Sequence, residues 1–403
     1  MPIRIDDKKL YLADFHIHSR FSRACSKDLN LSTLSKWAKI KGLDILGTGD
    51  ISHPIWIQEL KDNLIDKGDG IYEFNDFKFI LSGEISLIYT QERGRKVHLV
   101  YLAPNFETND KINEFLDTLG RRDYDGRPIF KMSCEEFTKN LKNINKNIEI
   151  IPAHIWTPHF GVLGSKAGFD SLTEAFGSEN KNIFAIETGI SSTPDMNLEI
   201  EELRNKTIVS FSDSHSFWPW RLGREATILK DIKSYKSIIS QIRKNKIIGT
   251  IEVNPAYGKY HFDGHRNCNF SCNPTDAEKT NNLCPVCKKE LLLGVEHRIF
   301  DLKKNNKNNN TNKTDKLTFE ILPLHEIISL YLNRGVSTKG VWDIYNKLTY
   351  NLGNEFEILL SIEKEKIEYY SNKTLADLII KNRNSEIKVK PGYDGIYGEV
   401  ILN

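Results

Sequence analysis

The sequence predicts an α/β fold: a barrel or largely parallel sheet over residues 1–255, a cysteine-rich module over 256–303, a polar connector over 304–316 and a smaller, mainly helical region over 317–403. Three observations lead there. Short apolar runs of strand length recur through the first part, amphipathic stretches separate several of them, and the composition changes abruptly after residue 255.

In order, "LYLADFHIH", "LDILGTGD", "FKFILSGEISLIYT", "KVHLVYLA", "IEIIPAHIW", "NIFAIETG" and "KTIVSFSDSH" read as buried strands. Between them, "LSTLSKWAKIKG" reads as a helix with a glycine stop, and "KINEFLDTLGRR" as a second helix. "DLKKNNKNNNTNKTDK" is a low-complexity polar stretch expected to be a linker or exposed loop. The last region begins helically with "LPLHEIISLYLNRG" and ends in the glycine-rich "KPGYDGIYGEVILN".

Composition bounds the function. With 39% hydrophobic and 27% charged residues, the 403-residue chain is an ordinary globular protein with enough length for two or three domains. A net charge of +2 excludes a polycation, so nucleic-acid binding needs a local basic surface. No stretch approaches the ~18 apolar residues of a membrane span, and "MPIRIDDKKLYLADF" lacks the apolar core of a signal peptide. A cytoplasmic chain without a membrane partner is expected. Its six cysteines then read as thiols or metal ligands rather than disulfides.

The acids and histidines carry the chemistry. On a strand, residues i and i+2 share a face, so His16 and His18 project side by side with Ile17 turned to the core, and Asp14 falls on their face. Similar residues are expected at the C-terminal ends of the later strands: Asp50 and His53 in "GTGDISHP", Glu84 in "SGEIS", His98 in "KVHLV", His154 in "IPAHIW", Asp213 and His215 in "SFSDSH". The strand C-termini of parallel α/β folds are where catalytic groups gather. Any one of these residues could be a hydrogen-bonded core group. So many are hard to place that way, because buried carboxylates are rare without a partner or a metal. Oxygen and imidazole ligands suit zinc, manganese or iron, and ions so held equip a site for phosphoester hydrolysis.

Cys268 and Cys272 form a C-x3-C pair, and Cys284 and Cys287 a C-x2-C pair in "LCPVCKK". Four thiolates in two close pairs are the set expected of one structural zinc. His265, three residues before Cys268, is an alternative fourth ligand in place of Cys272. Redox-active pairs are the competing reading, but no thioredoxin-like βαβ context surrounds them. Cys25 and Cys134 stand alone and read as ordinary thiols.

Local basic and aromatic residues suggest contacts to nucleic acid. Arg20 and Arg23 flank the histidine pair, and Lys166, Arg221 and Arg224 fall in loops at or after strand ends, where each could neutralise a phosphate. Tyr393 and Tyr397 in "GYDGIYG" could stack on a base where glycines permit close approach. Each of these also has a plain reading as solvated charge, core packing or turn chemistry.

Together, "DFHIHSRFS", "GTGDISHP", "SGEIS", "KVHLV", "PAHIWTPHFG" and "SDSHS" resemble the metal-binding motifs of the polymerase and histidinol phosphatase (PHP) superfamily. Within it, "FSRACSKDLNL", "HIWTPHFGVLGSKAGFDSLTEAF", "RLGREATI", "KYHFDGHRNC", "CPVCKKELLLGVEHRIFDL" and "KPGYDGIYGEV" are similar to the endonuclease Q family, over nearly the whole chain. The resemblance implies a distorted (β/α)7 barrel with a multinuclear centre of two or three zinc, manganese or magnesium ions. It further implies hydrolysis of DNA 5′ to deaminated bases (uracil, hypoxanthine, xanthine) or abasic sites. Carried over by motif, His16, His18, Glu84 and Asp213 hold one ion, Glu84 bridges to a second held by His98 and His154, and Asp50 with His215 helps hold a third. His53 is a further candidate ligand and Glu187 a weaker one at the rim, while "GTGDISHP" departs from the superfamily's Asp-His pair. His159 stands where an aromatic residue is expected, and the Asn-rich 304–312 segment resembles a local insertion.

Three function classes follow: a lesion-specific DNA endonuclease, a small-molecule phosphoesterase of the histidinol-phosphate phosphatase type, and a non-catalytic nucleic-acid-binding module. The first uses every segment of the chain. The second leaves the cysteine module and tail without a purpose, and the third conflicts with a full set of acids and histidines. The expected partner is damaged duplex or single-stranded DNA bound by a monomer, with a sliding clamp as a second candidate.

Overall fold

The computed structural model describes residues 4–5, 8–306 and 313–401. The middle of the polar connector, 307–312, and parts of the N-terminal stretch read for a signal peptide, 1–3 and 6–7, lie outside the described residues.

A central mixed sheet organises the molecule. Its strands are β1 (Tyr11–Asp14), β2 (Ile45–Gly47), β3 (Phe77–Gln91), β4 (Arg93–Ala103) and β5 (Glu149–Pro152). β6 (Ala185–Glu187) and β7 (Thr207–Val209) form a separate parallel pair. β8 (Ala226–Leu229) and β9 (Gly249–Glu252) return to the central sheet. β10 (Asp263–His265) and β11 (Phe270–Cys272) make a small hairpin, β12 (Leu317–Glu320) closes the central sheet, and a last antiparallel pair, β13 (Lys388–Lys390) and β14 (Glu399–Ile401), lies near the chain's end. The central order is β5-β4-β3-β2-β1-β8-β9-β12. The β6–β7 pair is tied to the end of β5 by Ile155 N–H donating to Glu187 O, and toward the β1 end by a parallel bridge between Ile17 and Ser214.

The sheet is mixed rather than largely parallel. β1, β2 and β3 run parallel, as do β9 and β12, but β4 is antiparallel to both β3 and β5, and β8 to both β1 and β9. The reason is legible in chain length. Parallel neighbours need a crossover of about a dozen residues or more, whereas β3 and β4 are joined at Glu92 alone, with φ 60°.

Helix α1 (Leu31–Lys41) shows how the sequence shapes the connections. Asn30 caps it, accepting from Ser32 N–H and Thr33 N–H, while the Thr33 hydroxyl answers the Asn30 N–H in a capping box. Leu31, Leu34 and Ala38 bury its inner face, and Gly42 at φ 98° stops it in the left-handed conformation. α2 (Pro54–Asn63), α3 (Phe106–Leu119), α4 (Cys134–Ile144) and α5 (Tyr235–Arg243) follow.

α6 (Val295–Lys303) packs beside the β10–β11 hairpin. Then α7 (Leu324–Leu332), α8 (Lys339–Leu352), α9 (Glu355–Leu360), α10 (Lys364–Tyr370) and α11 (Lys373–Arg383) build the helical region. It shares one apolar core with the sheet: Leu12, Leu34 and Trp56 belong to the same cluster as Ile327, Tyr345 and Phe356. A buried ion pair ties the two together. Lys41 Nζ lies 2.7 Å from Glu355 Oε1 and donates to Pro219 O at 2.8 Å, and Tyr345 donates to Glu355 Oε2 at 2.9 Å. The helical region does not own all of 317–403. β12 joins the central sheet, and the chain's end returns to the cysteine module, where Phe262 N–H donates to Gly392 O.

Candidate metal centres

β1 aims its continuation at one end of the sheet. Ile17 is buried in the core, and His16 and His18 project beside each other, their rings 5.5 Å apart. Asp14 does not join them. It accepts from Ser212 N–H (3.0 Å), Ser212 Oγ (2.5 Å) and Gly223 N–H (3.1 Å), and burial pushes its carboxyl up to about 6 against those bonds.

Two groups of ligand-type atoms meet here, each with its members within 4.8 Å of one another. In the first, His16 Nε2 lies 3.4 Å from Glu84 Oε2 and 3.5 Å from Asp213 Oδ1, and His18 Nε2 lies 3.3 Å and 3.1 Å from the same two oxygens. In the second, Glu84 Oε1 is 2.8 Å from His98 Nδ1 and 3.4 Å from His154 Nε2, with 3.2 Å between the two nitrogens. Glu84 contributes one oxygen to each group. His16 Nε2 and Glu84 Oε1 are buried, and despite these close approaches neither makes a well-aligned hydrogen bond among the described residues, a costly condition that a bound cation would remove. Imidazole nitrogens and carboxylate oxygens at this spacing fit divalent ions.

Glu84 and His98 sit inside the β3–β4 hairpin, not at strand ends. Because β4 runs antiparallel, its C-terminus points away from the site. The register pairs Ser86 with His98, which sets Glu84 and His98 on one face as diagonal neighbours. Asp50, His154 and Asp213 all adopt positive φ (49°, 30° and 46°), a sparsely populated conformation for such residues that clusters where function fixes the backbone.

The surrounding residues hold these ligands in place. Glu187 accepts from His154 N–H (2.6 Å), and one of its oxygens lies 2.8 Å from His16 Nδ1, so it orients both ligands. Asp50 does not come together with His215. Its Oδ1 pairs with His18 Nδ1 at 2.9 Å, and its Oδ2 accepts from Ser19 N–H and Oγ (2.6 Å each) and Ser22 Oγ (2.9 Å). Both Asp50 oxygens are thus bonded to the segment that carries His18. His215 Nδ1 bonds Asp213 O at 3.0 Å, and its ring sits 4.3 Å from that of His18. His53 joins neither group: it caps α2 and stacks on Phe21 at 4.2 Å. Phe160 stacks on His98 at 4.2 Å. The partly exposed His159 lies 6.5 Å from the Tyr260 ring.

Burial and charge act against each other in the cluster. Burial alone would strip His16 and His18 of their protons, but Glu187, Glu84 and Asp213 around His16, and Asp50, Asp213 and Glu84 around His18, hold both imidazoliums well above the usual histidine range. Burial likewise opposes ionisation of Glu84 and Asp213. His98, Arg127 and His16 hold Glu84 well below the carboxylate range, and His16, His215 and His18 do the same for Asp213. His98 is pushed down to about 4 by burial, and burial and His18 lower His215.

In the cysteine module, His265, Cys268, Cys284 and Cys287 form a third group within 4.8 Å, with His265 Nδ1 3.5 Å from Cys287 Sγ. Cys272 is outside it. The hairpin register pairs Asp263 with Cys272 at the end far from the turn, whereas His265 and Cys268 flank the turn that faces the C-P-V-C knuckle. Three thiols and an imidazole within one reach are a closed donor set that fits zinc.

Arg20 is engaged by Glu59 through two bonds (3.2 and 2.6 Å), and Arg224 donates twice to Ser212 O (3.2 and 3.1 Å). Arg23 is largely exposed, 3.3 Å from Asp125, and Lys166 is exposed; Arg221 is half-buried. Tyr393 is buried, with its hydroxyl on Asn269 Oδ1 (2.7 Å), and Tyr397 is exposed beneath the Lys259 ammonium, 4.6 Å from the ring centre. Sequence reasoning missed Arg127, whose Nη1 donates to Glu84 Oε2 at 3.0 Å. Its loop, "DGRPI", carries no spacing signal that would have found it.

Comparisons with known proteins find similar chains and structures. Residues 323–386 match the family described as the MJ0043 C-terminal domain. The chain is 32% identical over 238 residues to protein MJ0043 of Methanocaldococcus jannaschii, covering 58% of this chain and 30% of that much longer protein. It is 26% identical over 420 residues to YqxK of Bacillus subtilis, covering 98% and 99% of the two chains. The crystal structure of the lesion-specific endonuclease PfuEndoQ from Pyrococcus furiosus matches with a TM-score of 0.87 and 30% identity, covering 98% of this chain and 95% of that one. A crystal structure of endonuclease Q with a 27-mer duplex substrate, an abasic lesion at its active site, matches with the same TM-score and identity over 98% and 97%. No helix among the described residues is long and apolar enough to cross a membrane. The chain belongs to the endonuclease Q family.

Proposed function

We propose that this chain is a metal-dependent DNA endonuclease that hydrolyses the phosphodiester 5′ to deaminated bases or abasic sites. The observation that carries the reading is the Glu84 carboxylate, one oxygen in each of two buried ligand groups. A shared carboxylate between two histidine-rich groups is the arrangement that paired-ion phosphodiester hydrolysis needs. His16, His18, Glu84 and Asp213 would hold one ion, and Glu84, His98 and His154 a second. Bound there, divalent ions supply Lewis-acid chemistry to the phosphoryl group and lower the pKa of water.

The chain's own residues do the positioning. Glu187 and Asp50 fix the ring orientations of His16 and His18, and Asp50 acts in that role rather than as the ligand of a third ion. In the reaction a water oxygen bonds to phosphorus and the P–O3′ bond breaks, leaving a 3′-hydroxyl upstream and a 5′-phosphate on the lesion side. The module held by His265, Cys268, Cys284 and Cys287, which meets the chain's end through Tyr393 and Asn269, would grip the flanking DNA. Tyr397 remains available for stacking. The lesion must leave the helix, because pairing hides the edge that distinguishes uracil from cytosine. The β6–β7 pair would complete the ring of a distorted barrel around the ions.

A labelled duplex with one uracil, hypoxanthine or abasic site, beside an undamaged control and with manganese or magnesium, tests the reading. Cutting confined to the damaged strand at the 5′ side is expected. Equal cutting of both duplexes, or no cutting together with brisk turnover of a phosphomonoester, would overturn it.

A further inference from the structure

Arg127 reaches into the ligand groups from a loop that the preceding mechanism does not use. Its Nη1 donates to Glu84 Oε2, and its side chain is only 22% exposed. A guanidinium carries five N–H donors. The others on Arg127 make no hydrogen bond among the described residues, although the charges of Asp213 and Asp125 also act on the guanidinium.

The backbone fixes this placement. Gly126 N–H donates to Phe21 O (3.1 Å) and Ser52 Oγ to Gly126 O (3.1 Å). Arg127 N–H donates to Asp125 Oδ1, and Ser86 N–H to Pro128 O, where the chain pairs with β3. A Cβ at Gly126 would collide with Asp50 and Ser22, so the loop lies flush against the residues that support His18.

Charge says what the free donors are for. The buried Asp125 is offset by Arg23, 3.3 Å away, and with ligand histidines neutral the carboxylates of Glu84, Asp213, Asp50 and Glu187 would match two divalent ions. With Glu84 shared between Arg127 and the ions, the half-buried guanidinium would leave one positive charge in excess at the cluster, which favours an added anion. A phosphodiester carries the single negative charge that restores balance, and a planar guanidinium suits phosphate oxygens.

We infer that Arg127 is a catalytic residue that grips a non-bridging oxygen of the scissile phosphate while its Nη1 stays on Glu84. This inference rests on the phosphodiesterase reading above. Arg127→Gln and Arg127→Lys test it through two readouts: inorganic phosphate binding to manganese-loaded protein by calorimetry, and cleavage of the lesion-bearing duplex, with bound manganese counted in each variant. Arg127→Gln should keep its ions, bind phosphate about tenfold or more weakly, and lose roughly 10²–10³-fold in kcat/KM, the scale of removing one preorganised donor. Arg127→Lys should recover part of both losses. Unchanged phosphate affinity in Arg127→Gln, or loss of its ions, would overturn the inference and leave Arg127 a support for Glu84. If wild-type protein binds phosphate better than Arg127→Gln yet cuts no damaged duplex, the grip stands and the endonuclease reading falls.

Discussion

His265, Cys268, Cys284 and Cys287 come from one short stretch around a hairpin turn and a knuckle, with Cys287 exposed to solvent. The buried groups draw on residues from His16 to Asp213, on five separate segments, and nearly every ligand is held by a further residue: Glu187 behind His16 and His154, Asp50 behind His18, Phe160 against His98. The contrast teaches what each group is for. The first organises its own small module, which has only a minor core of Ala277, Cys284 and Leu291, so ion binding and local folding are one event. The second sits in a larger scaffold, so its geometry is preorganised and ions held there would be free to serve chemistry.

The largest effect should come from Glu84→Gln. Because Glu84 belongs to both buried groups, one substitution should weaken both ion sites, where His98→Ala should weaken only one. Metal catalysis contributes several kcal/mol to the transition state, so turnover should fall about 10³-fold or more. Circular dichroism should stay near wild type, while the manganese-dependent rise in thermal midpoint should shrink. A Glu84→Gln protein that retained full manganese stoichiometry would break the assignment of Glu84 as a shared ligand.

Next in size is the module. Structural zinc contributes on the order of 10 kcal/mol to small folds, so Cys284→Ser should lose one zinc per chain and unfold the 263–291 segment locally. Cys272→Ser should retain that zinc, because Cys272 stands at the far end of the hairpin. Zinc analysis and limited proteolysis read both outcomes. Zinc lost from Cys272→Ser, with His265→Ala unaffected, would reverse the ligand choice.

These two groups were legible to different depths. The alternation in "DFHIH" and the acids and histidines ending or interrupting apolar runs marked the buried cluster, because a side chain's face follows from strand period alone. What the pattern could not carry was direction. His98 reads as a strand-end residue, whereas β4 runs antiparallel and carries it mid-strand, and Asp50 reads as a ligand, where the structure shows its oxygens bonded to His18, Ser19 and Ser22. In the module, spacing identified the cysteines but left Cys272 and His265 as alternatives, since hairpin register decides between them and register is a tertiary fact. Arg127 was invisible because a loop residue is placed by backbone bonds to Phe21 and Ser52, which are distant in sequence.

A smaller effect should follow from loosening support without removing a ligand. Glu187→Gln keeps the side chain's shape and one acceptor but removes the charge behind His16. Losses from such outer positions run to about 10–100-fold in metal affinity. Manganese titration should show a weaker first group with a wild-type thermal midpoint for the cysteine module. Equal affinity in both proteins would mean that the scaffold alone aims His16.

The smallest effect is a difference in pH response, and it separates the two groups without mutation. In the metal-free protein His16 and His18 are held protonated above their ordinary value of about 6.5. The stability this contributes is fully present below that value and is lost as pH rises through the folded values. Glu84 and Asp213, held well below the carboxylate range, stay ionised throughout and add no slope between pH 6 and 8. Ligation needs neutral imidazole, so ions must expel these protons and bind more tightly as pH rises. The thermal midpoint of metal-free protein should therefore fall from pH 6.5 upward while that of manganese-loaded protein does not, and the gap between them should widen. The module begins from thiols. Despite burial, hydrogen bonds from Cys287 and Val286 lower Cys284 to about 7, and bonding to Cys287 and burial push Cys268 up to about 11. Three thiolates around zinc outweigh that proton competition at pH 6, so dialysis at pH 6 should empty the buried cluster first and leave the module's zinc in place. Zinc leaving the module before manganese leaves the buried cluster would show that the local group is the weaker of the two.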